Sequence, residues 1–278
     1  MGITLTSGLR TNLLSLQSTT SLMDQTASRL ATGLKIQSSL DDPVKFFAAK
    51  ANTDRASDLS RLKDDMGEAI QTVKAADEAI SAITDLIASA KSLAQSAKST
   101  SGTSDIDSIR VQYQETLDQI DDLASDSSYQ GVNLVNSAST TLDVVFNEDG
   151  TSTLTITGFA GDAASLGVSD QTSANAFSIA GGTANTTKLD AAITALDSAR
   201  DTLRTNATTL SNSLGIINTR SEFTDNFMSV LEDGAANLVN ADLNEEGANM
   251  LMLQTRQALG TTSLSIASQA AQSVLRLF

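Results

Sequence analysis

The chain has 278 residues, with 18 basic and 33 acidic side chains and a formal net charge of −15 at pH 7. It contains no cysteine, histidine or tryptophan, and its single proline is Pro43. The composition therefore excludes disulfides, the usual zinc sites, imidazole bases and thiolate nucleophiles. A chain with this much negative charge repels the phosphate backbones of nucleic acids. We therefore expect no nucleic-acid partner. The low proline count favours long uninterrupted helices.

The N-terminal sequence lacks the pattern of a cleavable signal peptide, because Arg10 interrupts the only candidate apolar stretch. No window reaches the ~18 apolar residues needed to span a bilayer. We therefore expect either a soluble chain or one exported by a route that leaves it uncleaved, and no membrane insertion.

Charge is distributed unevenly along the chain. Residues 1–40 and 251–278 each carry a net charge of +2, whereas residues 41–130 carry −8 and residues 131–250 carry −11. Two acid-poor ends flanking an acidic middle have two explanations. The unevenness is accidental, or the ends share an environment where like charge is costly, such as a crowded assembly interior.

Apolar residues at both ends of the chain recur at steps of three and four, which predicts a narrow helical seam at each end. The N-terminal stripe contains Leu9, Leu13, Leu16, Thr20, Met23, Ala27, Leu30 and Leu34. The C-terminal stripe contains Leu264, Ala267, Ala271, Val274 and Phe278. We expect these seams to be unpaired in a single chain and to become buried when copies stack. The residues assigned to terminal coiled-coil or inter-subunit packing are Leu9, Leu13, Leu16, Met23, Leu30, Leu34, Ile36, Leu264, Ala267, Val274, Leu277 and Phe278.

A long helix is predicted from about residue 44 to residue 98. Asp42 followed by Pro43 is typical of an N-cap and a first helical position. The helix carries an unbroken pattern of three- and four-residue steps: Leu59, Leu62, Met66, Ala69, Val73, Ala76, Ile80, Ile83, Ile87, Ala90, Ala94 and Ala97. Residues 99–104 are the predicted turn.

Two further amphipathic helices are predicted. The first carries Ile109, Tyr113, Thr116, Ile120 and Leu123. The second carries Leu189, Ala192, Leu196, Ala199, Leu203, Asn206, Leu210, Ser213 and Ile217. Together with the long helix they predict a mainly α fold, an elongated antiparallel coiled-coil bundle.

Residues 131–186 differ in composition and predict a small β-hairpin region. Residues 141–146 and 151–157 alternate as strands do, across a turn at residues 147–150. That turn has some likeness to a calcium loop, but Val145 stands where an EF-hand needs an acid, which favours the hairpin.

Adjacent carboxylates such as Asp64–Asp65 diverge on a helix and indicate solvated surface. No motif for a nucleophile, phosphate loop or dinucleotide appears, so we expect no enzyme activity, cofactor or metal.

Several motifs resemble those of bacterial flagellins. Residues 29–36, from Arg29 through Gly33, followed by Asp41 and Asp42, resemble the N-terminal flagellin signature. Residues 75–80 and 127–134 continue the likeness, with Gly131 in a turn where Gln130 replaces the usual Asn. Residues 241–246, with Asp242, and residues 269–278, with Gln272, resemble the C-terminal segments of the family.

The resemblance implies a short flagellin with little or no outer domain. It implies that the two chain ends pair as an inner coiled coil, the D0 domain, around a central channel, and that the long helices form an outer layer with the hairpin, the D1 domain. The implied segments are an N-terminal D0 helix and spoke over residues 1–42, D1 helices over 43–130 and 187–235, the hairpin region over 131–186, and a C-terminal D0 helix over 236–278. It implies a filament subunit that is exported unfolded by the flagellar type III route and polymerises with itself beneath a cap. A secretion chaperone, hook-associated junction proteins and other flagellins are further implied partners.

Two alternatives to a filament subunit remain at this point. A hook–filament junction protein would share both terminal patterns. A long helical signalling or adaptor bundle would need a membrane anchor and would lack the β insertion. An embedded hydrolase, found in some flagellins, would need a motif such as H-E-x-x-H and is excluded by the absence of histidine.

Overall fold

The protein was analysed as a computed structural model, which describes residues 7–173, 176–179 and 182–275, without the side chains of residues 179, 271, 274 and 275. The helices are α1 (Ser7–Thr32), α2 (Pro43–Ser99), α3 (Thr103–Asp126), α4 (Thr186–Val239) and α5 (Leu243–Leu275). The strands are β1 (Thr141–Val145), β2 (Thr153–Thr157), β3 (Ser178–Ile179) and β4 (Thr183–Ala184). Strands β1 and β2 form one two-stranded antiparallel sheet, and β3 and β4 form another. The mainly helical fold with a small β region confirms the predicted fold class.

The chain forms two compact units. The first contains residues up to Ala56 and from Ser229 onward, and so includes α1 and α5. The second contains Ser57–Met228, and so includes α3 and the strands.

The long helix α2 begins where the sequence predicts. The Asp42 carboxylate accepts a hydrogen bond from the Lys45 N–H at 3.1 Å, which caps the free amides of the first turn. Pro43 is the first helical residue, where its missing N–H costs nothing. All members of the predicted twelve-residue pattern are buried except Leu62, which packs against the core while half-exposed.

The core of the second unit lies among α2, α3 and α4. The predicted apolar positions of α4 are buried, and Asn206 and Ser213 lie half-buried between them. Lys91 pairs with Asp197 and Lys98 pairs with Asp190, each at 2.6 Å. Lys98 lies seven residues after Lys91 on α2, and its partner Asp190 lies seven residues before Asp197 on α4. Such pairing is typical of antiparallel helices whose contacts repeat every seven residues.

Helix α3 buries a different set of residues from the predicted one. Its buried side chains are Ile106, Tyr113, Leu117, Ile120 and Ala124. Ile109 and Leu123 are half-exposed and pack against the core, and Thr116 is half-exposed, whereas the predicted set lacked Ile106, Leu117 and Ala124. Tyr113 belongs to both sets, and its ring contacts the Phe177 ring edge-on at 5.0 Å.

The predicted hairpin is present, with β1 antiparallel to β2 and Thr141 opposite Thr157. The side-chain oxygen of Asn147 accepts a hydrogen bond from the Ser152 N–H at 2.9 Å, and Gly150 has φ +67°. Asn147 therefore serves as a turn residue that satisfies the backbone of the loop.

A tight turn follows α3 at Gln130–Gly131. Tyr129 and Val132 exchange two backbone hydrogen bonds of 2.9 Å, and the two central residues have φ +48° and +83°. Positive φ at both positions is typical of a type I′ turn, which favours Asn–Gly. Among the residues that the structure describes, Gln130 is the only non-glycine residue with a positive φ.

We expect Gln130→Asn to stabilise the second unit by about 0.5 kcal/mol, because Asn adopts the left-handed conformation more readily than Gln. Gln130→Val should have the opposite effect, since a β-branched residue resists positive φ. Urea denaturation followed by circular dichroism measures both shifts. Equal midpoints for the two variants would contradict this account of the turn.

Candidate functional site

The first unit brings the two ends of the chain together. Helix α1 stops at Gly33, whose φ of +72° and N–H bond to the Arg29 carbonyl at 2.8 Å form a glycine C-cap. The next residues pair with the connection between α4 and α5: the Lys35 N–H donates to the Val239 carbonyl at 2.7 Å, and the Ala241 N–H donates to the Gly33 carbonyl at 2.9 Å. These bonds hold the end of α1 beside the start of α5, and the two helices pack together.

An ion pair joins the helices just beyond this connection. Arg29 Nη1 lies 3.1 Å from Glu246 Oε1. Glu246 is only 5% exposed, and its second oxygen, Oε2, has no hydrogen-bond partner among the described residues. The guanidinium is therefore the main compensation for a buried carboxylate.

Three aspartates shape the backbone around the helix pair. The Asp41 carboxylate accepts hydrogen bonds from the Gln37 and Ser38 N–H groups at 3.0 Å, and these bonds lower the pKa of Asp41 below its ordinary value. Asp42 caps α2, as described above. Asp242 caps α5, since its carboxylate accepts the Asn244 N–H at 2.8 Å. All three therefore fix where a helix or turn begins.

The inner side of the helix pair contains six of the twelve residues predicted to pack at the chain ends. Leu9, Leu16, Met23, Leu30, Leu264 and Ala267 are half-buried. A Cβ added to Gly260 would lie 2.8 Å from Leu16 Cδ2, so glycine permits a close approach of the helices here. The expectation that the seams lack a partner within one chain is wrong for these six residues, since they are half-buried and α1 packs against α5. Leu13, Thr20 and Ala27 of the predicted stripe are exposed.

Sequence reasoning missed Leu253, which is 5% exposed and is the most buried apolar residue of α5 among those described. Leu253 continues the stripe that begins at Leu264, because residues 253, 257, 260 and 264 are spaced by four, three and four. It was missed because Gln257 and Gly260 are not apolar. Thr26, buried on α1, was missed because the predicted stripe ran through Ala27 instead.

Away from their mutual contact, α1 and α5 each carry large apolar side chains that are exposed among the described residues. We call these residues together the outer stripe: Leu13, Leu14 and Leu22 on α1, and Leu251, Met252, Leu259 and Ile266 on α5. Leu14, Leu251, Leu259 and Ile266 are each more than 60% exposed. Met252, Leu259 and Ile266 follow one another at heptad spacing, so they lie along one line of α5. Uncovered apolar side chains in such a row mark an interaction surface.

Comparison with known proteins decides the family. Residues 5–140 match the family model of the bacterial flagellin N-terminal helical region, and residues 186–278 match that of the bacterial flagellin C-terminal helical region. The chain belongs to the bacterial flagellins.

Similar flagellins match the chain over nearly its whole length. Flagellin FljM of Caulobacter vibrioides is 33% identical over 98% of this chain and 96% of its own. A flagellin of Brucella melitensis is 30% identical over 96% of this chain and 95% of its own. The crystal structure of Bacillus cereus flagellin is 18% identical, with a TM-score of 0.47, over 58% of this chain and 88% of that chain.

Family membership gives the function in outline. The chain is a structural subunit of the flagellar filament, an extracellular helical polymer, and it polymerises with itself. The flagellins are structural proteins, so this chain is not an enzyme. The junction-protein and signalling-bundle alternatives are not favoured. The helices in the part of the chain that the structure describes include no candidate for a transmembrane span.

The remaining predicted positions lie at the connection or near the chain end. Leu34 is half-buried and bridges to Asn240, and Ile36 is 7% exposed. Gln272 is exposed. The side chain of Val274, and residues Leu277 and Phe278, lie outside the part of the chain that the structure describes.

Proposed function

We propose that this flagellin chain makes its filament contacts through the outer stripe of the paired helices α1 and α5. The observation that carries the proposal is the exposure of Leu14, Leu251, Leu259 and Ile266 on two helices whose inner sides already cover each other. At ~25 cal/mol per Å² of apolar surface, covering such a row in each of many copies offsets the cost of ordering the subunits. A contact between unlike surfaces that does not close gives a helical filament.

The inner side then has a separate role. Leu9, Leu16, Met23, Leu30, Leu264 and Ala267 would hold α1 against α5 in each subunit, while Leu13, which is 40% exposed, would belong to the outer stripe. Pairing within the chain pre-organises the surface and lowers the entropy lost on assembly. The small positive charge of both chain ends suits close packing of many copies better than the acidic middle does.

Further aspects of the proposal rest on family membership alone. We propose export by the flagellar type III route without cleavage, growth beneath a cap, and contacts with a secretion chaperone, junction proteins and other flagellins. The five-segment division given above remains a prediction. Mass spectrometry of intact subunits from filaments tests the export route, since a shortened N-terminus would contradict it.

Deletion of residues 255–278 tests the assembly proposal. The shortened chain should form no filaments, because it loses Leu259 and Ile266 of the outer stripe and most of the cover for α1. Electron microscopy after salt-induced precipitation measures the outcome, with the full chain expected to form filaments that have a central channel. Circular dichroism should show that the second unit stays folded. Filaments from the shortened chain would contradict the proposal.

A further inference from the structure

The second unit carries a groove, of about 890 Å³, along the exposed face of α4. Its floor includes Ala207, Gly215 and Ile216. Ile216 is 39% exposed. Apart from neighbouring residues and backbone of the same helix, no atom of the described residues lies within 4 Å of the position that a Cβ on Gly215 would occupy. Glycine in a helix interior lowers stability by about 1 kcal/mol relative to alanine. Gly215 therefore makes α4 less stable at the point where the groove is open.

The groove is basic although the unit around it is acidic. Arg204 and Arg220 line its two ends, sixteen residues apart, which is about 24 Å along the helix. Both are exposed, and the Arg220 guanidinium is held over the Phe146 ring at 5.2 Å from its centroid. Asp77 also lines the groove, which leaves the lining with a net positive charge. An apolar floor between two arginines suits a partner surface that is acidic and carries a small apolar residue.

The outer face of α3 has that chemistry. Val111, Glu115, Asp118 and Asp122 follow at steps of four, three and four, so they share one face of the helix. All four are exposed, with Val111 at 41%, whereas Tyr113, Leu117 and Ile120 bury the opposite face. Three carboxylates beside one valine complement the two arginines and the apolar floor of the groove.

We propose that the α4 groove binds the acidic outer face of α3 from a second copy of this chain. The proposal rests on polymerisation and adds a contact between second units to the contact proposed for α1 and α5. Each copy carries the groove and the acidic face at different sites, so the contact is heterologous and repeats without closing. Because the pairing is electrostatic at its rim, it also makes subunit addition dependent on ionic strength.

Filling the groove tests its role. Gly215→Phe places a ring in the open space and should raise the critical concentration for polymerisation at least about tenfold, through loss of the bound face. Gly215→Ala is the matched control, because it removes the glycine but leaves the groove open; it should polymerise as the unchanged chain does and unfold at a higher temperature. Polymerisation of Gly215→Phe at the unchanged critical concentration, with its fold verified by circular dichroism, would overturn the proposal.

Charge reversal tests the occupant. R204E/R220E and E115R/D122R should each fail to polymerise, since like charges would face each other. An equimolar mixture of the two should polymerise, because the reversed groove of one pairs with the reversed face of the other. A mixture that stays monomeric overturns the assignment of α3 as the occupant. R204E alone, which leaves the Arg220–Phe146 contact in place, replaces the first variant if that variant unfolds.

These outcomes are separable from failure of the proposed function. If the groove variants polymerise normally while the chain lacking residues 255–278 does not, the terminal contact stands and the groove contact falls. If the shortened chain polymerises and the groove variants do not, the terminal contact falls and the groove contact stands.

Discussion

The double variant L259D/I266D is expected to fold as a monomer and to form no filaments. In the unchanged chain both side chains are exposed, at 66% and 62%, so aspartate at these positions costs the free subunit little. In a filament they would be covered by another subunit, and each substitution would lose about 2 kcal/mol of apolar burial and add an aspartate that must be desolvated. Repeated in every copy, this loss prevents growth.

The variant L259M/I266M serves as the matched control. It changes the same two positions but keeps them apolar and similar in volume, so it should form filaments at a similar concentration. Sedimentation separates polymer from monomer, and circular dichroism verifies that the helix content of the monomers is equal. Growth of L259D/I266D at the rate of its control would contradict the role assigned to the outer stripe.

The buried faces of α2 and α4 could be predicted because a buried helix face appears in the sequence as apolar residues that recur every three or four positions. Each residue of those faces lies three or four positions from the next and meets the same core. On α3 two stripes satisfy the spacing: Thr116 and Leu123 lie three residues after Tyr113 and Ile120, and Leu117 and Ala124 lie four residues after them. Spacing alone did not choose between the two stripes, and the structure buries Leu117 and Ala124. Tyr113 meets Phe177, 64 residues away in the chain, and no spacing rule relates the two.

At the chain ends the sequence predicted helices and apolar stripes but not which side faces which neighbour. The inner and outer sides of α1 both contain leucines, so spacing alone could not separate residues such as Leu16, which packs against α5, from Leu14, which remains uncovered. The two sides of α1 differ only in whether they contact α5, which lies more than 200 residues away in the chain. The outer stripe was therefore found from the structure.

Loss of the Arg29–Glu246 pair is expected to destabilise the α1–α5 pair more than any other single polar change in that unit. In R29M the Glu246 carboxylate stays buried with neither oxygen compensated, which costs about 3 kcal/mol. Hydrogen exchange of the amides of Ser7–Thr32 measures the effect, since this loss would speed exchange from the open state about 100-fold. Exchange in Ser57–Met228 should be unchanged and is the internal control.

The double variant R29M/E246M separates the cost of an unpaired charge from the value of the pair itself. Met on both helices removes the buried carboxylate together with its partner, so most of the lost protection should return. E246M alone should cost less than R29M, because Arg29, with 24% of its side chain exposed, reaches solvent whereas Glu246 does not. If the double variant exchanges as fast as R29M, the ion pair contributes net stability, and burial of an uncompensated carboxylate is not the reason for its effect.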